Sequence, residues 1–251
     1  INLSAKRILI QGRLDNYLQK NGYESYSQFL DVVENCPMGI EAEYMINALT
    51  TNHTYFWREH EQFLYLKEHV FPQMASWEAK SRDWHIWCAA SSTGEEPYTL
   101  AMLCMDYLGL DFSNWDTQVL ATDIDTHVLD IARKGIYTKD SVEHLPHTYV
   151  RRFFRNYSDK EYQVTKELKE QVLFRQFNLM NPLPFSRPLH VVFLRNVMIY
   201  FEEETKLRLL NQIYDKLMPG GYLFIGSTES INQNHGKFEY IKPSVYRKPL
   251  Y

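Results

Sequence analysis

Several short segments of this sequence carry side chains whose types and spacing suit a binding or transfer site. In Cys88-Ala-Ala-Ser-Ser-Thr-Gly-Glu-Glu-Pro-Tyr98 an apolar run gives way to a small-residue turn and then to two acids and a proline. Small residues let a ligand approach the backbone, and the N-terminus of the helix that follows attracts negative charge. Two carboxylates, Glu95 and Glu96, would meet a phosphate there, and one glycine stands where the dinucleotide fingerprint has three. A cationic ligand group, an amine or a sulfonium, suits the turn better. Acids and proline are also good helix starters, which explains either feature alone. In Ala121-Thr-Asp-Ile-Asp125 the acid ending the next strand is placed to accept from both hydroxyls of a ribose. Asp123 is expected in that role and Asp125 as the cap of the following helix. In Phe193-Leu-Arg-Asn-Val-Met-Ile-Tyr-Phe201, Arg195 and Asn196 fall where a strand leaves the sheet, and a buried arginine there is costly unless paired. Gln176-Phe-Asn-Leu179 ends another strand with an amide able to read an adenine edge. Leu49-Thr-Thr-Asn-His-Thr-Tyr-Phe-Trp-Arg-Glu59 combines capping residues, three aromatics and an Arg–Glu pair, and reads as a packed lid whose arginine would draw in a carboxylate.

The elements that must position these groups follow from the apolar periodicity. Residues from Leu3 to about Met74 read as helical. Leu14, Tyr17 and Leu18 are followed by a stop at Asn21-Gly22, and Phe29, Leu30 and Val33 by one near Pro37. A small helical subdomain with its linker is therefore expected over 1–74. From Trp84 onward strands alternate with helices, with strands at His85–Ala90, Thr117–Thr122, Leu189–Leu194 and Tyr222–Gly226 and one or two more within Phe238–Tyr246. Alternation implies parallel pairing, right-handed crossovers and a doubly wound sheet, with ligands outside the carboxyl ends of the strands. The alternation lapses from 138 to 178, where Tyr162–Thr165 and Gln171–Asn178 suggest a small hairpin-bearing β insertion. The fold expected is α/β, a doubly wound and mostly parallel sheet over 75–251, with the helical subdomain and the β insertion appended.

Composition narrows the class. The 251 residues are 45% hydrophobic and 23% charged, with 27 basic against 31 acidic residues and a net charge of −4. That profile excludes disordered, collagen-like and coiled-coil chains and argues against a generic nucleic-acid coat. The apolar runs are strand-sized, so no membrane insertion is expected. No basic-then-apolar leader opens the chain, and Cys36, Cys88 and Cys104 form neither a metal cluster nor a disulfide framework. A cytoplasmic, metal-free protein is the expectation.

Taken in order, Thr51-Asn-x-Thr54, Phe56-x-Arg-Glu59, Ser92-Thr-Gly-Glu-Glu-Pro-Tyr98, Ala121-Thr-Asp-Ile-Asp125, Asn178-Leu179 and Arg195-Asn-Val-Met-Ile-Tyr-Phe201 resemble the CheR family of chemotaxis receptor methyltransferases. The resemblance runs from about Ser4 to Tyr246. It implies a Rossmann-like methyltransferase that carries a methyl group from S-adenosylmethionine to glutamates on the cytoplasmic helical bundle of methyl-accepting chemoreceptors, leaving glutamate methyl esters and S-adenosylhomocysteine. By motif position it implies Asn52, Thr54, Arg58, Glu96 (rather than Glu95), Asp123, Asn178, Leu179, Arg195 and Asn196 as cofactor contacts, and Arg58 and Tyr200 as the residues flanking the substrate glutamate. A monomer with no nucleic-acid partner is expected.

The acceptor implied is an ionised carboxylate and the donor a sulfonium, so displacement needs no general base, and the sequence has no Ser/His or His/Asp constellation that demands one. Catalysis then rests on near-attack geometry and exclusion of water. Two departures from the family pattern carry expectations. The basic face of the first helix is thinned to Lys6, Arg7, Arg13 and Lys20 against Asp15, which weakens its claim to dock a receptor. Phe153-Phe-Arg-Asn-Tyr-Ser-Asp-Lys-Glu-Tyr162 lacks the glycines with which some relatives grip a receptor's C-terminal pentapeptide, so a tether-independent enzyme is expected. The rival readings are a methyltransferase of this fold acting on another protein or a small molecule, a non-catalytic adaptor that senses S-adenosylmethionine, and a nicotinamide-dependent dehydrogenase, which the missing glycines and acidic helix start disfavour.

Overall fold

The computed structural model describes residues 7–37, 39–50, 52–231 and 237–251. Lys6 of the expected basic face, Ser4 at the start of the resemblance and Thr51 of the Asn52 motif lie outside them.

Three helices, α1 (Arg7–Lys20), α2 (Tyr26–Asn35) and α3 (Ile40–Leu49), close on a small apolar core of Leu14, Leu18, Phe29, Val33 and Ala42. Ser25 caps α2 by accepting from the Gln28 N–H, which ends the turn that Asn21-Gly22 begins. Arg13, expected on the docking face, instead turns inward and donates to the carbonyls of Ala48 and Thr50 at 3.0 and 2.8 Å. It therefore fixes the end of α3, where the chain enters the site. The next helical run, α4 (Glu61–Tyr65), a π turn (Leu66–Val70) and α5 (Phe71–Trp77), does not join this cluster. Its Phe63, Leu66, Val70, Phe71 and Met74 are buried in the core of the large sheet. The helical subdomain is thus shorter than 1–74, because apolar residues recurring along 63–74 find a sheet face to cover.

The sheet is built from β1 (Ile86–Ala89), β2 (Val119–Asp123), β6 (Val172–Gln176), β7 (Leu189–Leu194), β8 (Leu217–Ile225), β9 (Glu239–Lys242) and β10 (Val245–Arg247). Their order is β6-β2-β1-β7-β8-β10-β9 among the described residues; the first five are parallel, and β10 pairs antiparallel with both β8 and β9. Side chains alternate between two cores: Ile86, Cys88, Val191 and Phe193 face one, Trp87, Ala89, Val192 and Leu194 the other. Helices α6 (Glu95–Leu108), α7 (Thr126–Lys134) and α10 (Glu203–Lys216) cover the faces. The expected doubly wound α/β fold is what forms. The chain runs outward from β1 through β2 to β6, then returns to lay β7 on the other side of β1, so the topology reverses at β1 and β7.

The expected insertion is smaller than 138–178. A three-stranded antiparallel sheet, β3 (Ile136–Thr138), β5 (Glu161–Val164) and β4 (Phe154–Asn156), is joined by α8 (His147–Phe153) and followed by the short α9 (Lys166–Lys169). Gln171–Asn178, read as part of the insertion, instead supplies β6, which pairs in parallel with β2 from Val172 opposite Val119 to Gln176 opposite Asp123. Its burial fades toward its carboxyl end, so its pattern resembles that of a hairpin strand; only pairing with β2 separates the two assignments.

Candidate active site at the carboxyl edge

The carboxyl ends of β1, β2 and β7 open into a cavity of about 290 Å³. All ten residues singled out by sequence line it: Asn52, Thr54, Arg58, Glu96, Asp123, Asn178, Leu179, Arg195, Asn196 and Tyr200. They arrive from five separate segments, and the fold places them at the point where strand order reverses.

After β1 the chain turns through Ala90 and Ser92, both left-handed (φ +63° and +48°), and Gly94 (φ +99°) begins α6. A Cβ on Gly94 would lie 2.8 Å from the Ala132 Cβ of α7 and 2.9 Å from the Tyr137 hydroxyl, so the turn can sit this close to α7 only with glycine. Tyr137 donates to the Thr93 carbonyl at 2.6 Å and locks the turn from beneath. The two acids at the start of α6 part company. Glu95 is buried, takes the Thr93 hydroxyl at 2.6 Å and is not part of the cavity wall; burial pushes its pKa up. Glu96 faces the cavity, where one oxygen pairs with Arg195 and the other accepts the Cys88 thiol at 3.1 Å. Two bare carboxylates at the helix start, the basis for expecting a cationic ligand, are therefore not what the site presents.

Arg195 is the hub. It is 5% exposed, stands over the Phe63 ring at 5.3 Å, and pairs with Glu96 and, at 3.2 Å, with Glu59. The guanidinium nitrogen that faces Glu59 also donates to the Arg58 carbonyl at 2.7 Å. Burial works against its charge, but the two glutamates outweigh it and leave its pKa raised. The arginine thus meets the pairing condition that its sequence position demanded. The acid–base–acid triad keeps one net negative charge beside the cavity. Glu59 is the less obvious member: besides Arg195 it accepts from the Asn196 side-chain amide (3.3 Å), the Gln62 amide (2.9 Å) and the Ser227 N–H (2.9 Å). Burial raises its pKa, yet Arg195, the Asn196 amide and the Ser227 N–H bring it below the ordinary carboxylate value. Its contact with Arg58 is only 3.9 Å.

Asp123 is 7% exposed and accepts the N–H groups of Ser92 (2.7 Å) and Asp125 (3.0 Å), one on each oxygen. Burial raises its pKa against these donors. Each oxygen keeps a lone pair for a hydroxyl donor. Asp125 caps α7, accepting from His127 and Val128 at 2.9 and 3.2 Å. Its other oxygen accepts from the Thr50 hydroxyl (2.9 Å) and the Asn52 amide (2.7 Å), a tie between the end of α3 and the sheet that no local pattern announces. Two aromatics of the 49–59 segment are packed down, as expected: Phe56 is fully buried, edge-on to Tyr137 and Phe154, and Trp57 stacks on Phe63. Arg58 donates to the His53 carbonyl at 2.8 Å and leans on the Tyr55 ring at 5.9 Å.

Two observations mark the cavity as built for a ligand. The buried Ser91 hydroxyl and the Arg195 Nε in its wall have no hydrogen-bond partner among the described residues. Five non-glycine residues with left-handed backbone, Trp57, Glu59, Ala90, Ser92 and Asn196, lie in or beside it. Among the described residues no group of His, Cys, Asp and Glu is arranged to hold a metal ion. Sequence reading passed over Ser91 and Thr50, which it treated only as turn and cap residues, and Glu229, which carries no local signal.

A doubly wound sheet, a cleft at its reversal point and a strand-end acid beside a small-residue turn belong to the class of nucleoside-cofactor α/β proteins, and the comparisons assign the cofactor. Residues 52–247 match the family model described as "CheR methyltransferase, SAM binding domain". A chemotaxis protein methyltransferase of Borreliella burgdorferi is 37% identical over 252 residues, covering 99% of this chain and 89% of the relative. One from Escherichia coli is 35% identical over 245 residues, covering 96% and 82%. The chain is an S-adenosylmethionine-dependent methyltransferase. It belongs to the CheR methyltransferase family.

Proposed function

We propose that this enzyme transfers a methyl group from S-adenosylmethionine to glutamate side chains on the cytoplasmic helices of chemoreceptors, giving glutamate methyl esters and S-adenosylhomocysteine. The convergence of all ten sequence-selected residues on one cavity carries the reading, and its relatives, chemotaxis protein methyltransferases, supply the chemotactic context. When bound, the cofactor supplies a methyl carbon made electrophilic by a sulfonium centre. In this reading Asp123 accepts the ribose hydroxyls, Asn178 and Leu179 flank the adenosine, and Asn52, Thr54, Glu96, Arg195 and Asn196 surround the methionyl end. The net negative triad of Glu59, Arg195 and Glu96 favours a cation without offering a bare base, since Glu96 is held by Arg195. Arg58 and Tyr200 hold the incoming carboxylate in line. Charge is neutralised as the methyl moves, so contacts that solvate the carboxylate too well would slow the step, and orientation is the useful contribution. We assign no metal to the reaction, a monomeric state and a cytoplasmic location; no helix of the described residues is long and apolar enough to cross a membrane.

The decisive assay incubates the protein with methyl-labelled S-adenosylmethionine and receptor cytoplasmic fragments. Base-labile methyl ester on glutamate is expected. Base-stable label would move the acceptor to another class, and cofactor binding without transfer would make the protein a sensor. Arg58→Ala should lower turnover or cofactor affinity, and unchanged values for both would remove it from the site. Tyr200→Phe should lower kcat; if it does not, the hydroxyl only packs. The glycine-free turn between β4 and β5 supports tether independence. Micromolar binding of a receptor C-terminal pentapeptide in calorimetry would contradict it.

A further inference from the structure

Two turns leave the carboxyl edge side by side, because β7 and β8 are parallel neighbours with Leu194 opposite Ile225. The first runs from Arg195 to Tyr200 and supplies Asn196, Val197 and Tyr200 to the cavity wall. The second begins at Gly226. They are joined by a residue that is not part of the cavity wall. One carboxylate oxygen of Glu229 accepts the N–H groups of Asn196 (2.9 Å) and Gly226 (2.7 Å), and the other accepts the Ile199 N–H (3.2 Å). Asn196 is left-handed (φ +56°), a conformation that persists only where its surroundings fix it. The approach is close: a Cβ on Gly226 would lie 2.5 Å from the Asn196 side-chain nitrogen and 2.8 Å from Glu229 Oε2. Glu59 ties the same two turns from the other side, through the Asn196 side chain and the Ser227 N–H.

We infer that Glu229 is a positioning residue for methyl transfer, holding the backbone of Asn196 for the cofactor and, through Ile199, setting the ring of Tyr200 toward the acceptor. The inference rests on the reading of the cavity given above. Its carboxylate is committed to three backbone donors, so it acts through the turn and not on the reacting atoms. Its two oxygens divide the work. Oε2 holds the cofactor side of the turn at Asn196, and Oε1 holds the acceptor side at Ile199, next to Tyr200.

The division supplies the test. Glu229→Ala removes all three bonds; at a temperature well below its Tm it should weaken S-adenosylhomocysteine binding about tenfold and lower kcat at saturating cofactor by at least about tenfold. Glu229→Gln keeps a carbonyl oxygen for Asn196 and Gly226 but turns an amide N–H toward the Ile199 N–H. It should therefore keep product affinity within about threefold of wild type while kcat falls about tenfold. A role confined to stability predicts something else: lower Tm with wild-type product affinity and kcat in both variants, which would overturn the inference. If the alanine variant does not fold, the isosteric glutamine variant decides by the same split. A wild-type protein that neither binds S-adenosylhomocysteine nor forms base-labile esters would sink the functional reading itself, and that result appears before any variant is made.

Discussion

The amino end of the central strands, like the carboxyl end, carries a polar cluster. There Glu78, Asp83, His85, Arg187 and His190 gather around the starts of β1 and β7. His85 bridges Asp83 at 3.0 Å and the Pro188 carbonyl at 2.7 Å, Arg187 pairs with Asp83 at 2.8 Å, and His190 contacts Glu78 at 3.0 Å. Each of these groups finds a partner within the cluster, and one non-glycine residue near it, Arg82, has a left-handed backbone. At the carboxyl end five such residues converge, a buried guanidinium sits between two glutamates, and two buried polar atoms in the cavity wall lack partners. The difference teaches that density of charge does not mark a site in this molecule. Strained backbone gathered at the strand ends does, whereas buried polar atoms without partners among the described residues occur at both ends, Ser91 and Arg195 at one and Trp84 and Thr117 at the other.

The comparison predicts that substitutions at the carboxyl end change binding and chemistry, while those at the amino end change stability alone. The largest effect is expected for Arg195→Leu, which strands Glu96 and Glu59 without their cation. Loss of one partner from a buried ion pair costs about 3–5 kcal/mol, to be read by urea unfolding, and binding of S-adenosylhomocysteine should vanish in calorimetry. Wild-type affinity in that variant would break the contrast outright. Next is Asp123→Asn, which puts an amide against the N–H of Ser92 or Asp125 and removes a charged acceptor; affinity should fall about 10- to 100-fold.

Smaller effects are expected at the other end. His190 is nearly buried and its Nδ1 accepts the His85 N–H at 2.9 Å, so the ring is neutral, with its proton on Nε2 toward Glu78. Burial depresses its pKa below 6.5 despite the pull of Glu78. A histidine depressed in the folded state binds its proton more readily when unfolded, so its contribution is complete above about pH 6.5 and is lost as pH falls below that. The Tm should therefore decline from pH 7 toward pH 5, and His190→Gln should flatten that slope while leaving product affinity at pH 7 unchanged. The least effect belongs to Arg187→Ala: its side chain is 72% exposed, and loss of its pair with Asp83 should cost about 0–1 kcal/mol with no change in turnover.

Much of this was legible before the fold was known. Short apolar runs located β1, β2 and β7 within about two residues, since strands covered on both faces must be apolar almost throughout, while β8 begins at Leu217, five residues before the expected Tyr222. Asp123, Asn178, Arg195 and Asn196 could be chosen because each stands at or just past the end of a strand, whereas Asn52, Thr54, Arg58, Glu96 and Tyr200 rested on the motif resemblance. What failed was the assignment of long-range partners. Gln171–Asn178 could not be told from a hairpin strand until β2 appeared beside it. The two acids of α6 look equivalent in sequence, and only the arrival of Arg195, 99 residues further on, neutralises Glu96 while Glu95 turns away. Arg13 reads as a surface charge but is occupied with the end of α3.

Residue order alone determined the class of fold and the edge of the sheet where ligands belong, because periodicity and strand-end position are local properties of the chain, and the motif resemblance named the side chains expected there. The tertiary structure decided how those side chains share charge and which residues hold them. Glu59 and Glu229 take their meaning from backbone N–H groups and cations contributed by other strands, and such donors become neighbours only when the sheet has closed.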